Sequence, residues 1–264
     1  MPGFLLDLDG TLYHGDRPIP YAAEFVNYLR ERRYPFLFLT NNSSRTPDEV
    51  AAHLEKTGIS ANPSEVLTSS QAAALYLRRL PLANNRVLCI GEQGLRLALT
   101  DAGYELAEPR DEAGTVSAVV QGIDRAFDYN KLRAATSQLR RGAISVLTNP
   151  DHLLPWNGEL TPGAGSIAAS IERASGIAPV VIGKPSSIVM QIAVDKLRLP
   201  ASDIWTVGDN LATDISGGAA IGSRTALVLT GLVTAVTAAD DMSRSGVTPD
   251  VICNHLMELA EAIG

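Results

Sequence analysis

Short apolar runs alternate with longer amphipathic stretches along almost the whole chain of 264 residues. The short runs have the length of buried strands, and the longer stretches repeat their apolar positions with a helical period. Strands that alternate with helices predict parallel βα units, because parallel strands need a crossover connection. The predicted strands are 3–8, 35–39, 86–90, 117–121, 144–147, 180–182, 204–207 and 225–229. The predicted helices are 21–33, one that starts near 46, 69–80, 92–102, 128–141, 166–174, 186–197 and 211–219.

A break in this alternation at 81–85 predicts a division into two domains. A second set of strands and helices follows the break, and the first rhythm returns after Gly176. The middle third of the chain is therefore predicted to be an α/β module inserted into another α/β module. Within it, the segment 148–163 is rich in Pro, Gly and Asn and is predicted to be a loop.

The composition excludes several classes of protein. Lys and Arg total 22 and Asp and Glu total 29, so the net charge of −7 argues against a nucleic-acid partner. No run approaches the roughly 18 apolar residues of a membrane span, and the apolar run Gly3–Leu6 is too short for a secretion signal. Cys89 and Cys253 lie far apart in apolar runs, which predicts buried thiols. We therefore expect a cytoplasmic protein that binds neither nucleic acid nor membranes.

Polar groups follow four of the predicted strands. Asp7–Thr11 comes after the first strand, and Thr40 ends the second. Lys184 follows a strand in the third part of the chain, and Asp209 ends the next strand, with Asp214 five residues later. In open α/β sheets, ligands bind beyond the carboxyl ends of the strands. The sequence therefore predicts that these groups share one site.

Two acids two residues apart, Asp7 and Asp9, suit the hydrolysis of a phosphate ester. The chain is leaving a strand there, so the two side chains start on the same side. One carboxylate can attack phosphorus to form an aspartyl-phosphate. The second carboxyl can protonate the leaving oxygen and then take a proton from the attacking water.

The negative charges of such a site need a cation close by. Two unit charges about 4 Å apart repel by roughly 4 kcal/mol at an effective dielectric constant of 20. Lys184 is one source of positive charge, and a magnesium ion held by Asp7 and Asp209 is the other. Thr40 and backbone N–H groups near Asn41 are predicted donors to the phosphoryl oxygens.

The order of these motifs resembles the haloacid dehalogenase superfamily of phosphohydrolases over nearly the whole chain. The resemblance is greatest to the NagD-like, p-nitrophenylphosphatase-like branch, which carries a large α/β cap of class IIA between its second and third motifs. The matching segments are Asp7–Tyr13, Leu39–Ser43, Thr148–Asp151, Pro162–Gly165, Gly183–Ser186 and Gly208–Asn210.

The resemblance implies a Rossmann-like, mainly parallel catalytic core at 1–79 and 178–264 and an inserted substrate-specificity cap at 80–177. It also implies an Mg²⁺-dependent phosphatase that hydrolyses small phosphate monoesters, such as nucleoside monophosphates or sugar phosphates. The implied roles are Asp7 as nucleophile and metal ligand, Asp9 as general acid/base and metal ligand, Thr40, Asn41 and Lys184 as phosphate ligands, Asp209 as metal ligand, Asp214 and Asn210 as supports, and Asn149, Asp151 and His152 as substrate contacts from the cap.

Other interpretations of the same residues remain open at this stage. A phosphotransferase such as a mutase would share Asp7 and Asp9, although its relatives usually carry a small helical cap. A regulator that binds a phosphate ester without turnover is the alternative outside the enzymes. Asp214 could serve only the helix dipole, since acids are common in the first turn. The expected partner is a small phosphorylated metabolite, and the family analogy implies a homodimer through the cap.

Overall fold

The computed structural model describes residues 1–110, 114–156 and 159–263. Its strands are β1 (Gly3–Leu6), β2 (Tyr13–His14), β3 (Arg17–Pro18), β4 (Phe36–Thr40), β5 (Val66–Thr68), β6 (Arg86–Ile90), β7 (Glu105–Ala107), β8 (Ala118–Gln121), β9 (Ile144–Leu147), β10 (Leu153–Trp156), β11 (Glu159–Pro162), β12 (Val180–Val181), β13 (Ile204–Gly208), β14 (Arg224–Val228) and β15 (Val251–Cys253). Its helices are α1 (Ala22–Glu31), α2 (Pro47–Lys56), α3 (Ser69–Leu77), α4 (Gln93–Asp101), α5 (Tyr129–Arg140), α6 (Ala164–Ser175), α7 (Ser187–Leu197), α8 (Ser216–Ala220), α9 (Ala238–Ser245) and α10 (Leu256–Ile263).

The chain folds into two compact units. The first unit comprises Met1–Thr40, Pro47–Leu67 and Lys184–Gly264, and the second comprises Asn41–Thr46 and Thr68–Gly183. The cap predicted at 80–177 lies inside the second unit, whose boundaries are wider because α3 packs against α4. The function of the second unit as a substrate-specificity cap stays a prediction.

Strands from both ends of the chain form the sheet of the first unit, in the order β15-β14-β13-β1-β4-β5. β1 runs parallel to both of its neighbours, with Phe4 opposite Trp205 of β13 and Phe36 of β4. The pairs of β14 with β13 and β15 are parallel as well. Phe4 and Phe25 are fully buried in the apolar layer between this sheet and the helices that cover it. The predicted α/β fold with a mainly parallel sheet is confirmed.

The second unit has its own parallel sheet, in the order β12-β9-β8-β6-β7. The chain passes from β6 to β7 on one side and then places β8 on the other side of β6. From β6 the chain adds β7 on one side, and from β8 it adds β9 and β12 on the other side. Where the direction reverses, between β6 and β8, open α/β sheets have a crevice at the carboxyl ends of the strands. The crevice is important for the segment Asn41–Thr46, which is described below.

Two helix starts in the second unit show how local chemistry defines its elements. Thr68 precedes α3, and its side chain accepts a hydrogen bond from the N–H of Gln71, whose side chain accepts one from the N–H of Thr68. Asp128 precedes α5 and accepts a hydrogen bond from the N–H of Lys131. Both arrangements satisfy N–H groups that have no partner within the helix.

The structure corrects the sequence prediction in short elements. The segment 148–163, predicted as a loop, contains the antiparallel hairpin of β10 and β11. The helix predicted at 211–219 is a π-helical turn, Leu211–Ile215, followed by the short α8. Strands of two or three residues, such as β2 and β3, show too few alternations to be recognised from periodicity. In the part of the chain that the structure describes, no helix is long and apolar enough to cross a membrane.

An ion pair joins α1 to the turn before β5 in the first unit. Arg30 donates one hydrogen bond of 2.7 Å to each carboxylate oxygen of Glu65. The Glu65 carboxylate also accepts a hydrogen bond of 2.9 Å from the N–H of Asn62. Burial alone would raise the pKa of Glu65, but these hydrogen bonds and the charge of Arg30 outweigh it, and the pKa is lowered. Such bidentate ion pairs are stronger than single contacts between exposed charges.

We expect Glu65→Gln to lower the free energy of unfolding by about 1–2 kcal/mol at neutral pH, because a charged partner of Arg30 is lost. A carboxyl with a lowered pKa stabilises the fold above its unfolded-state pKa, and this contribution disappears as the pH falls through its folded-state pKa. Urea unfolding of wild type and variant should therefore differ at about pH 7 and converge near about pH 3. The control is Glu31→Gln, an exposed acid of α1, which should change nothing. Equal stability of Glu65→Gln and wild type at neutral pH would contradict the prediction.

Candidate active site

Three carboxylates meet at the carboxyl edge of the sheet in the first unit. Asp7 directly follows β1, and its N–H donates to the carbonyl of Val207 in the neighbouring β13 at 2.9 Å. Asp209 directly follows β13, and Asp214 lies in the π-helical turn after it. Asp7, Asp209 and Asp214 each contribute an oxygen to a cluster in which these atoms lie within 4.8 Å of one another. The edge of the sheet thus gathers acids that are distant in sequence.

Lys184 joins two of these acids. Its ammonium nitrogen lies 2.5 Å from Oδ1 of Asp7 and 2.6 Å from Oδ1 of Asp214. Only 4 % of the Lys184 side chain is exposed. Burial alone would lower the pKa of Lys184, but the charges of Asp214 and Asp7 outweigh burial and raise it. Lys184 is therefore a fixed positive charge beside Asp7.

Asp209 is left with more negative charge around it than the one ammonium can balance. Burial and the negative charge of Asp7 raise the pKa of Asp209 to about 6, against the opposing hydrogen bond from the N–H of Leu232 and the charge of Lys184. The Leu232 N–H donates to Oδ2 of Asp209 at 2.6 Å. A buried group of oxygen ligands with excess negative charge is the kind of environment that binds Mg²⁺. The donor set of Asp7 and Asp209 therefore fits a divalent cation.

Asp9 lies at the rim of the same edge, with 74 % of its side chain exposed. Partial loss of solvent and the negative charge of Asp7 raise its pKa, against the opposing effects of His14 and of a hydrogen bond from the N–H of Gly15. Gly10 next to it has a φ of +87°, and a Cβ there would lie 2.3 Å from Oδ2 of Asp209. Only glycine lets the chain turn away from Asp7 while it passes so close to Asp209.

The predicted phosphate ligands Thr40 and Asn41 are consecutive residues that belong to different units. Thr40 is the buried last residue of β4, the strand next to β1 in the first unit. Asn41 begins the segment Asn41–Thr46, which belongs to the second unit. The binding of a phosphoryl group by these two residues and Lys184 stays a prediction.

Asn210 supports the turn that carries Asp214. Its side-chain oxygen accepts a hydrogen bond of 2.8 Å from the N–H of Ala212. Its own N–H donates to Oδ2 of Asp214 at 3.3 Å, and the hydroxyl of Thr213 contacts the same oxygen at 3.2 Å. The supporting role of Asn210 stays a prediction, and Asp214 accepts hydrogen bonds from Lys184, Thr213 and the N–H of Asn210.

The three residues predicted to contact substrate lie in the loop after β9, in the second unit. The amide nitrogen of Asn149 donates to Oδ2 of Asp151 at 2.6 Å, and its oxygen accepts from the hydroxyl of Thr148 at 3.0 Å. Asn149 is buried, whereas His152 is exposed. Asn149 and Asp151 thus organise this loop, and their contact with a substrate, like that of His152, stays a prediction.

Sequence reasoning missed a second loop at this edge, Thr230–Val233, which follows β14. The hydroxyl of Thr230 donates to the carbonyl of Gly10 at 2.7 Å, and the ring of His14 lies 2.6 Å from the carbonyl of Thr230. The same loop provides the Leu232 N–H that holds Asp209. The position of Thr230 just after a strand beside β13 was the available signal.

Two segments of the chain match families of hydrolases. Residues 4–105 match the haloacid dehalogenase-like hydrolases, and residues 181–259 match a HAD-hydrolase-like family. The chain belongs to the haloacid dehalogenase-like hydrolases. The two matches contain Asp7, Lys184 and Asp209.

Several relatives of this hydrolase are phosphatases. It is 41 % identical to an acid sugar phosphatase of Staphylococcus haemolyticus over 88 % of this chain and 86 % of that one. It is 40 % identical to the 5′-nucleotidase YutF of Bacillus subtilis over 92 % of both chains. Acid sugar phosphatases and 5′-nucleotidases are phosphoric monoester hydrolases, and this hydrolase is an enzyme of the same class.

Solved structures agree with this assignment. The p-nitrophenyl phosphatase from Archaeoglobus fulgidus superposes with a TM-score of 0.91 at 33 % identity, over 99 % of this chain and 98 % of that one. NagD from Escherichia coli K-12 superposes with a TM-score of 0.89 at 29 % identity, over 98 % of both chains. The predicted membership of the NagD-like branch is confirmed.

We expect Asp209→Asn to stabilise the metal-free hydrolase by about 1–3 kcal/mol at about pH 8. An acid whose folded-state pKa is raised costs no stability below its unfolded-state pKa, and the cost is complete above its folded-state value of about 6. The gain should therefore vanish near about pH 3, below the unfolded-state pKa, where Asp209 of the wild type is largely protonated in both states. Unfolding in the presence of a chelator measures both conditions.

The matched control for this prediction is Asp203→Asn, an exposed acid just before the same strand, which should give no gain at either pH. A variant Asp209→Asn that is less stable than wild type at about pH 8 would show that the negative charge at this position is not in excess.

Proposed function

We propose that this hydrolase uses Mg²⁺ to hydrolyse small phosphate monoesters through an aspartyl-phosphate on Asp7. The observation that carries the proposal is the position of Asp7 at the carboxyl edge of β1, with Lys184 on one carboxylate oxygen and Asp209 close by. A partly buried nucleophile beside a fixed ammonium suits an attack on a phosphate dianion, because the ammonium offsets the repulsion between the two anions.

The residues present fit a magnesium ion, which the excess negative charge around Asp209 supports. Asp7 and Asp209 would hold it through carboxylate oxygens, and Asp9 through its backbone carbonyl. When bound, the ion supplies positive charge that polarises the phosphoryl group and offsets the repulsion among the acids. Asp214 stays bonded to Lys184 and is not needed as a ligand.

In the first step, a carboxylate oxygen of Asp7 attacks phosphorus and the bond from phosphorus to the ester oxygen breaks. Asp9, protonated at the start, gives its proton to that oxygen, so the product leaves as a neutral alcohol. The raised pKa of Asp9 favours the protonated form that this step requires. The exposed position of Asp9 suits a group that meets the leaving group rather than the phosphoryl oxygens.

In the second step, water attacks phosphorus of the aspartyl-phosphate and gives a proton to Asp9. The bond between phosphorus and the Asp7 oxygen breaks, inorganic phosphate forms, and both acids return to their starting states. Lys184, Thr40 and backbone N–H groups near Asn41 would donate to the phosphoryl oxygens in both steps. Asp214 holds Lys184 in place for them, as their 2.6 Å contact supports.

The names of the relatives support sugar phosphates and nucleoside monophosphates as the first esters to test. We propose that Asn149, Asp151 and His152 contact the leaving group, because they occupy a loop at the carboxyl edge of the second sheet. The homodimer through the second unit is also a proposal, which rests on family analogy alone.

We expect Asp7→Asn to lower kcat by about 10³-fold or more, because an amide oxygen is a poor nucleophile. The measurement is release of inorganic phosphate from p-nitrophenyl phosphate, sugar phosphates and nucleoside monophosphates, with Mg²⁺ and with a chelator. Wild type should release phosphate only with Mg²⁺, and Asp203→Asn should match it. Full activity of Asp7→Asn would exclude the aspartyl-phosphate, and full activity in chelator would exclude the metal requirement.

We expect Asp9→Asn to affect esters according to their leaving groups. Loss of the proton donor should lower kcat by about 10²–10⁴-fold for an alkyl ester such as a sugar phosphate. The loss should be smaller for p-nitrophenyl phosphate, because p-nitrophenolate can depart without a proton. Both esters are assayed on the same preparations, with wild type as the reference. An equal loss for the two esters would show that Asp9 does not protonate the leaving oxygen.

A further inference from the structure

The segment Asn41–Thr46 follows the predicted phosphate ligand Thr40 directly, yet it belongs to the second unit. Three of its backbone carbonyls accept hydrogen bonds from residues of that unit. The donors are the hydroxyl of Ser69 to Asn41 at 2.7 Å, the hydroxyl of Ser70 to Ser43 at 2.8 Å, and the N–H of Gly94 to Ser44 at 2.9 Å. The segment is therefore bound along its length to the start of α3 and the start of α4.

Ser43 is the most buried residue of the segment Asn41–Thr46, with 2 % of its surface exposed. Its hydroxyl oxygen accepts a hydrogen bond of 3.2 Å from the N–H of Ile123, just after β8. This position is the crevice between the carboxyl ends of β6 and β8, where the direction of the crossovers reverses. Open α/β sheets bind ligands at such a crevice. In this unit the chain itself fills the crevice with Ser43.

Gly122 makes room for the Ser43 side chain. A Cβ on Gly122 would lie 2.8 Å from Oγ of Ser43 and 3.1 Å from Oγ1 of Thr148. The first distance is too short for a carbon and an oxygen to share without movement. A side chain at 122 would therefore force the Ser43 hydroxyl away from its position.

The segment behaves as one piece because it is also bonded within itself. Oδ1 of Asn42 accepts hydrogen bonds from the N–H of Ser44 at 2.9 Å and from the N–H of Arg45 at 3.2 Å. These bonds close an Asx turn around Ser43. A shift of Ser43 is thus transmitted to Asn41 and Asn42, which continue the chain from Thr40.

We infer that Ser43 is a positioning residue for phosphate recognition: it fixes the backbone that carries Thr40 and Asn41 to the sheet of the second unit. The inference rests on the proposed function, in which Thr40 and N–H groups near Asn41 bind the phosphoryl group. It adds a second task for the second unit. That unit supports binding of the phosphate itself, which is common to every substrate, in addition to any contact with the leaving group.

The test is steady-state kinetics of Ser43→Ala with several esters, together with competitive inhibition by inorganic phosphate, all with Mg²⁺. A displaced phosphate loop should raise KM for every ester and the inhibition constant of inorganic phosphate by the same factor, roughly five- to tenfold. Inorganic phosphate has no leaving group, so its inhibition constant isolates recognition of the phosphoryl group. Gly122→Ala displaces the same hydroxyl from the other side and should give the same pattern.

The matched control is Ser145→Ala in β9. Ser145 is also buried, and its hydroxyl also accepts one hydrogen bond, from the side-chain nitrogen of Gln121 at 2.8 Å. Both substitutions leave one buried N–H group without a partner, so each should lower Tm by a few degrees. Only Ser43→Ala should change the inhibition constant.

Equal losses of Tm in the two variants, with the inhibition constant changed in Ser43→Ala and Gly122→Ala alone, would establish the positioning role. Unchanged inhibition by phosphate in Ser43→Ala and Gly122→Ala, or the same change in Ser145→Ala, would overturn it while the wild-type activity leaves the proposed function intact. Absence of phosphate release by wild type from every ester would instead overturn the proposed function, and this inference with it.

Discussion

The contact of Lys184 with Asp7 and Asp214 is the interaction on which the rest of the site depends. A buried ammonium is stable only when negative groups surround it, and a buried carboxylate needs a positive partner for the same reason. The 2.5 Å and 2.6 Å contacts meet both needs for two of the three acids. Asp209 is the remaining acid, and its pKa is raised because burial and the negative charge of Asp7 outweigh the positive charge of Lys184. The proposed magnesium site rests on the same imbalance.

The parallel sheet brings these charges together at little cost to the rest of the fold. Asp7 and Lys184 are 177 residues apart in sequence, yet their side chains meet. Asp7 follows β1 of this sheet, whereas the strand before Lys184, β12, belongs to the second sheet. The sheet needs only apolar residues in its interior, as the burial of Phe4 and Val207 shows. Polar residues just beyond the strand ends are therefore free to serve chemistry, and the loop Thr230–Val233 adds the Thr230 hydroxyl and the Leu232 N–H as donors.

The sequence was sufficient for those parts of the molecule that depend on periodicity and on strand ends. β6 and β9 have the bounds that their apolar runs predict, and Asp7 and Asp209 meet at the edge where the strand-end rule puts them. Lys184 contacts Asp7 as well, but the strand-end rule does not account for it, because the strand before it, β12, belongs to the second sheet. The sequence was insufficient where the determining contact is a backbone group. The Leu232 N–H that holds Asp209 has no signature in the residue type, and the hydroxyl of Ser43 meets an N–H 80 residues away. The hairpin of β10 and β11 was missed because Pro and Gly usually mark loops.

The assignment of Asn41–Thr46 to the second unit affects how that unit can be exchanged between related proteins. The second unit joins the first through four peptide junctions, after Thr40, Thr46, Leu67 and Gly183, rather than through the two that a simple insertion would have. If only the long segment Thr68–Gly183 were replaced by that of a relative, the crevice of the new sheet would be filled by the Asn41–Thr46 segment of this chain. A transplant of the second unit should therefore include both Asn41–Thr46 and Thr68–Gly183, although the two segments are separate in sequence.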